Sequence, residues 1–213
     1  MGSNTVAYTA PFGIFILFLS LSQGLEAARI APGGLAPIYL VFPLQTVVCA
    51  AALIFYGPRY RLRAPRNCLL AVSIGIFACA LWVSPQVLFH QPPRLAGFNP
   101  GIFAGRPVLY WAEIIFRFLR LVLVVPFLLR FFINEDFEAV PFGTYGPLAN
   151  AVVALGFMLE HSLHDWPAAL ATGLLYNMLA CRSRTLSSCI LAHAITNALL
   201  GSFIMLTAQW GFW

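Results

Sequence analysis

The sequence predicts an all-α fold, a polytopic membrane helix bundle of about seven transmembrane helices. Three observations carry that expectation. Apolar residues fill 61% of the 213 positions and only 9% are charged, against ~45–50% apolar in a soluble globular domain. The mean hydropathy is +0.85, more apolar surface than twelve basic and seven acidic residues can shield from water. Apolar runs recur along the whole chain, each close to the ~20 residues that cross a bilayer. Residues 1–213 are read as a single transmembrane domain.

The runs fall at about 9–25, 37–56, 68–84, 108–133, 147–163, 166–181 and 186–208. The first, within MGSNTVAYTAPFGIFILFLSLSQGL, has no basic region ahead of it and no small-residue cleavage box behind it. It is therefore expected to be a retained span, not a removed signal peptide. The loop GPRYRLRAPRN carries Arg59, Arg61, Arg63 and Arg66, and the turn CRSRT carries Arg182 and Arg184. Arginine-rich loops stay on the cytoplasmic side. Four runs separate these two loops, so both land on one side, with the N-terminus inside and the C-terminus outside. The Pro- and Gly-rich stretch 84–107 is then an external loop, and NEDFEAVPFGTYG (134–146) is cytoplasmic. Trp111, Trp166, Trp210 and Trp213 fit an aromatic belt at the outer interface.

All twelve basic residues are arginine. They are accounted for as topology signals and headgroup anchors, so the net charge of +5 points to the lipid bilayer as partner and not to nucleic acid. The five cysteines lack any paired spacing and read as small core residues.

Ionisable side chains inside a span are costly and by default functional. Three places stand out. GFMLEHSLHDW holds Glu160, His161, His164 and Asp165 within six positions. LAHAITNALLG sets His193 and Asn197 four residues apart, on one helical face. YWAEIIFRFLR does the same with Glu113 and Arg117. Each has a plainer alternative: an intrahelical ion pair for Glu113 with Arg117, interhelical hydrogen bonding for His193 with Asn197, and headgroup solvation for Glu160 with His161. Two helices each offering an inward histidine make a water-activating or metal-binding centre the sharper reading. His164 and Asp165 are placed at the outer membrane edge.

With these residues in place, the chain resembles the CAAX prenyl protease and bacteriocin-processing family of intramembrane proteases. It is most similar to the bacterial CAAX-protease-related group associated with exosortase systems. Phe157 and His161 match the family's FxxxH, and His193 and Asn197 match its HxxxN. DFEAVPFG, GLLYNMLACRSRTLSSCILAHAITNALLG and TAQWGFW resemble the subgroup's text, so the family-like core runs over 107–213. The departure is the family's EExxxR motif, which is found nowhere in the chain. VVPFLLRFFINEDFEAVPFG runs unbroken, with Val125, Pro126 and Phe127 where the glutamate pair is expected.

The resemblance implies a membrane endopeptidase of the bacterial inner membrane. A glutamate there activates water against a peptide bond of a membrane-associated protein or peptide, and His and Asn orient it and stabilise the oxyanion. A divalent metal such as zinc, on His161 and His193, and a metal-free glutamate-activated water remain alternatives. The carboxylate would be Glu113 or Glu160. Neighbouring helical positions point ~100° apart, which turns Glu160 away from the His161 target and favours Glu113. Without a substitute carboxylate the protein is an inactive relative. A non-catalytic scaffold of a protein-sorting or exopolysaccharide system is the alternative from another class.

Overall fold

A computed structural model describes residues 3–59, 63–122, 141–159 and 161–212. Among the described residues there are helices and no strands. Seven α-helices follow in order: α1 (Ser3–Ala27), α2 (Ile38–Tyr56), α3 (Cys68–Leu88), α4 (Pro107–Val122), α5 (Pro147–Leu159), α6 (Trp166–Ser183) and α7 (Leu186–Thr207). Each coincides with one apolar run of the sequence. Four are long and apolar enough to cross a membrane: Thr9–Ala27 within α1, Ile38–Arg59 covering α2, α3 and α7. At ~1.5 Å per residue, helices of this length match the ~30 Å hydrocarbon core. Leu69 on α3 and Leu206 on α7 are 82% and 86% exposed, as lipid-facing side chains of a membrane helix are.

Of the helix ends that depart from the expected runs, two have a local reason. α3 does not stop at residue 84 but continues through Pro85 to Leu88. Proline forfeits the hydrogen bond to the carbonyl four residues back, here Leu81, and the Ser84 hydroxyl donates to that carbonyl at 2.8 Å. α5, by contrast, ends at Leu159, short of the expected residue 163. Ser162–Asp165 then form a tight turn in which Asp165 N–H donates to Ser162 O, and α6 starts at Trp166.

The chain divides into two compact units. Unit 1 comprises residues 1–61, 94–124 and 208–213 and contains α1, α2 and α4. Tyr39, Phe98 and Phe103 form its buried aromatic core. The Tyr39 hydroxyl donates to Asn99 O and accepts from Asn99 N–H, both at 3.0 Å. The C-terminal stretch is tied to the 94–97 strip: Gly211 N–H donates to Arg94 O at 2.9 Å, and the Arg94 guanidinium lies 4.6 Å from the centre of the Phe212 ring. This order within the long loop agrees with its expected role as structured surface. Trp213 lies outside the described residues.

Unit 2 comprises residues 62–93 and 125–207 and contains α3, α5, α6 and α7. Small residues let its helices approach closely. A Cβ at Gly75 on α3 would stand 2.7 Å from Ala192 O and 2.9 Å from Ile195 Cβ on α7. A Cβ at Gly173 on α6 would stand 3.2 Å from Ala154 Cα on α5. Gly173, four residues after the buried Ala169, is thus a point of close approach between α6 and α5, as small residues allow in membranes. Polar bonds also join the helices: Asn177 Nδ2 of α6 donates to Asn150 O of α5 at 2.8 Å, and Trp82 Nε1 of α3 to Thr172 Oγ1 of α6 at 3.1 Å. With no water in the bilayer core, such groups must be satisfied inside the protein.

Candidate active site

The site builds on the last turn of α5. His161 stands just beyond the end of α5, beside Phe157 of its last turn. Their ring centroids are 4.8 Å apart. His161 Nδ1 lies 2.7 Å from Phe157 O. A carbonyl can only accept, so Nδ1 carries the proton and Nε2 holds the free lone pair. The same bond satisfies one of the carbonyls left unpaired at a helix C-terminus. Trp166 Nε1 donates to His161 O at 3.3 Å, which holds the backbone of the turn.

His161 is walled by aromatic rings. Trp82 of α3 packs at 4.9 Å on one part of it, and Phe157 packs on another. Trp82 is fixed in turn by its bond to Thr172. His193 of α7 stacks on Tyr176 of α6 at 5.4 Å with the planes 25° apart. It also meets the Phe157 ring at 6.2 Å, edge to face. Both imidazoles therefore touch one phenyl ring, and their centres are no further apart than those two Phe157 distances together. Asn197, one turn along from His193, is buried.

Tyr176 is held by a short chain of hydroxyls. Its O–H donates to Thr196 Oγ1 at 2.7 Å. Thr196 Oγ1 has acceptors at Gly75 O, 2.9 Å away, and at Ala192 O, 3.1 Å away. Only the absence of a side chain at Gly75 brings its carbonyl into reach. The close approach of α3 and α7 thus fixes Thr196, which fixes Tyr176, against which His193 stacks.

The other expected residues are placed as follows. His164 is exposed, while Asp165 is buried at 8% exposure, its carboxylate accepting from the Ser162 hydroxyl at 2.6 Å. Asp165 thus fixes the turn between α5 and α6. Glu160 lies outside the described residues, as do Glu135, Asp136, Glu138 and the 125–127 join. Glu113 belongs to unit 1, on α4, and is 8% exposed. Among the described residues it forms no ion pair with Arg117. Arg117 instead places its guanidinium 5.3 Å from the Phe42 ring centre and 5.4 Å from that of Phe98. Two aromatic faces thus lie beside this cation.

Four supporting residues escape sequence reasoning: Trp82, Thr172, Tyr176 and Thr196. They stand on three helices, and no local spacing links them to the histidines. A polar residue inside a span is the one signal available, and it applied to Thr172, Tyr176 and Thr196 alike.

A catalytic zinc takes three protein ligands. The described residues bring two imidazoles to Phe157, and among them no three His, Cys, Asp or Glu side chains form a metal-binding group.

Residues 107–199 match the family described as type II CAAX prenyl endopeptidase Rce1-like. No curated protein and no solved structure matches the chain. The matched stretch holds Glu113, Phe157, His161, His193 and Asn197. The match and the four membrane-length helices make this a multi-pass membrane protein. Over residues 107–199, the chain is similar to the Rce1-like CAAX prenyl endopeptidases, in keeping with the FxxxH and HxxxN motifs it carries there.

Proposed function

We propose that the protein is a CAAX-protease-like endopeptidase of the bacterial inner membrane, acting as one transmembrane domain on a peptide bond of a membrane-associated protein. The observation that carries this reading is the packing of His161 and His193 on the one ring of Phe157. His161 offers a fixed Nε2 lone pair, able to accept a hydrogen bond from an attacking water. His193 is partly accessible and makes ring contacts but no hydrogen bond among the described residues, which leaves its nitrogens for a reacting group. Asn197, one turn along, is a donor of the kind that stabilises an oxyanion.

The proton from water goes to a carboxylate, Glu113 or Glu160, of which the sequence favours Glu113. A positioned general base contributes on the order of 10²–10⁴ in rate. Glu113→Gln and Glu160→Gln in proteoliposomes, with a membrane-delivered peptide library read by mass spectrometry, identify it. Loss of cleavage by at least the lower of those factors marks the base. Loss in Glu160→Gln with activity kept in Glu113→Gln overturns the preference for Glu113.

One observation favours a second reading: the chain contains no EExxxR motif. On that reading the polar cluster is inherited architecture, and the protein is a non-catalytic accessory of a protein-sorting or exopolysaccharide system, the exosortase-associated setting included. Cleavage by the wild type excludes it.

A further inference from the structure

Four arginines of unit 2 stand at one end of its helices. Arg63 and Arg66 precede α3, and Arg182 and Arg184 close α6. All four side chains are exposed, and among the described residues none is paired with a carboxylate. Two loops more than a hundred residues apart in sequence are laced together here. The Ser187 hydroxyl donates to Arg63 O. Asn67 Nδ2 donates to Arg182 O at 3.4 Å. Arg66 N–H donates to Ser188 Oγ at 2.9 Å, and the Ser188 hydroxyl donates back to Arg66 O at 2.6 Å.

Ser188 is fully buried, and its single proton is committed to Arg66. Thr185 Oγ1, at 2.6 Å from Ser188 Oγ, must then be the donor in that pair. Both loops are therefore fixed at the backbone, on side chains chosen for that bonding. Positive charge kept on one side of a membrane needs no such clamp, because the topology signal works through loop charge alone. The N-termini of α3 and α7 open at the same place, at Cys68 and Leu186, and their unpaired N–H groups add partial positive charge.

We propose that this clamped arginine cluster is a binding site for the anionic headgroup of a phospholipid in the adjoining leaflet. Its position sets the source of the anion. The cluster sits at the ends of α3 and α7, two helices long and apolar enough to cross the bilayer, and so at headgroup level. Basic side chains there attract anionic lipid additively.

The test is native mass spectrometry of the full chain, released from bilayers of equal phosphatidylglycerol and phosphatidylcholine. Wild type retains phosphatidylglycerol in preference. Arg182→Gln with Arg184→Gln lowers that retention about tenfold or more, as two lost contacts imply. Ser188→Ala keeps all four charges and removes the clamp at Arg66; it lowers retention of phosphatidylglycerol severalfold and leaves phosphatidylcholine unchanged. Thermal unfolding of each variant separates loss of the site from loss of the fold. Unchanged lipid preference in both variants, when folded, overturns the proposal. So does displacement of the lipid by inorganic phosphate, which would make free phosphate the ligand. A rise in retention on Glu135→Gln, Asp136→Asn and Glu138→Gln together would also overturn it, because the chain's own acidic segment would then be the occupant.

Discussion

The imidazole of His193 stacks on the phenol of Tyr176, with ring centres 5.4 Å apart and planes 25° from parallel. The phenol is itself anchored through Thr196 to the Gly75 carbonyl. A residue of the candidate site is thus oriented by a contact between two helices that carry neither of its direct ring partners, Tyr176 and Phe157.

Removing the anchor and removing the stack should have separable effects. Tyr176→Phe keeps the ring and loses the bond to Thr196, at a cost of about 1 kcal/mol, with Thr196 left to its backbone acceptors. Tyr176→Leu loses both and should be the less stable of the two. Thermal unfolding in detergent measures this. Equal stability of the two variants would mean the stack contributes nothing.

Gly75→Leu should be among the most damaging single changes in unit 2. Its Cβ alone would overlap Ala192 O and Ile195 Cβ, both parts of α7 and neither able to swing away. Forced overpacking costs about 1–3 kcal/mol, and α3 must separate from α7 to relieve it. The expected result is a lower unfolding midpoint together with loss of any cleavage. An unchanged midpoint would contradict the close approach.

Ser84→Ala leaves the Leu81 carbonyl without the hydroxyl that replaces the bond lost at Pro85. The expected cost is about 1 kcal/mol, and Ser84→Thr should restore much of it. Restoration by a second change, Pro85→Ala, would also follow, because alanine supplies the missing N–H. Failure of Pro85→Ala to rescue Ser84→Ala would contradict the assignment.

The bonds of Arg66 to Ser188 and of Asn67 to Arg182 put the loops of residues 63–67 and 182–188 at the same end of unit 2. Gly143 lies at that end too, because a Cβ there would overlap Ala180 O. The arginine count of the sequence puts this end in the cytoplasm. Cysteines introduced at Ala64 and at Ser187, with the five native ones replaced by alanine, should be labelled from the cytoplasmic side only. A cysteine added after Trp213 should be labelled from the opposite side. Labelling of all three from one side would contradict the seven-span topology.

The helices and both histidine motifs were legible because each rests on short-range spacing. Apolar runs mark a helix, and four-residue spacing marks a face, so Phe157 with His161 and His193 with Asn197 could be read directly. The walls of the site could not. Trp82 and Tyr176 reach the histidines through packing between helices, and Gly75 matters only because Ala192 lies opposite. The burial of Asp165 was not legible either, because its Ser162 partner depends on where α5 stops. That stop is set in part by the His161 ring nitrogen bonding Phe157 O, a choice of conformation with no signature in composition. The Phe42 and Phe98 rings beside Arg117 were likewise illegible, since only the fold brings them there.

The central claim is that His161 and His193 serve one hydrolytic site. The most direct measurement is cleavage of a membrane-delivered peptide library in proteoliposomes by wild type, His161→Ala, His193→Ala and the double variant, each matched for its unfolding midpoint. Residues that act as a unit are strongly non-additive. The account predicts measurable cleavage by wild type, a loss of roughly 10²-fold or more in each single variant, and little further loss in the double. Cleavage retained in either folded single variant, or losses that simply multiply in the double, would contradict it.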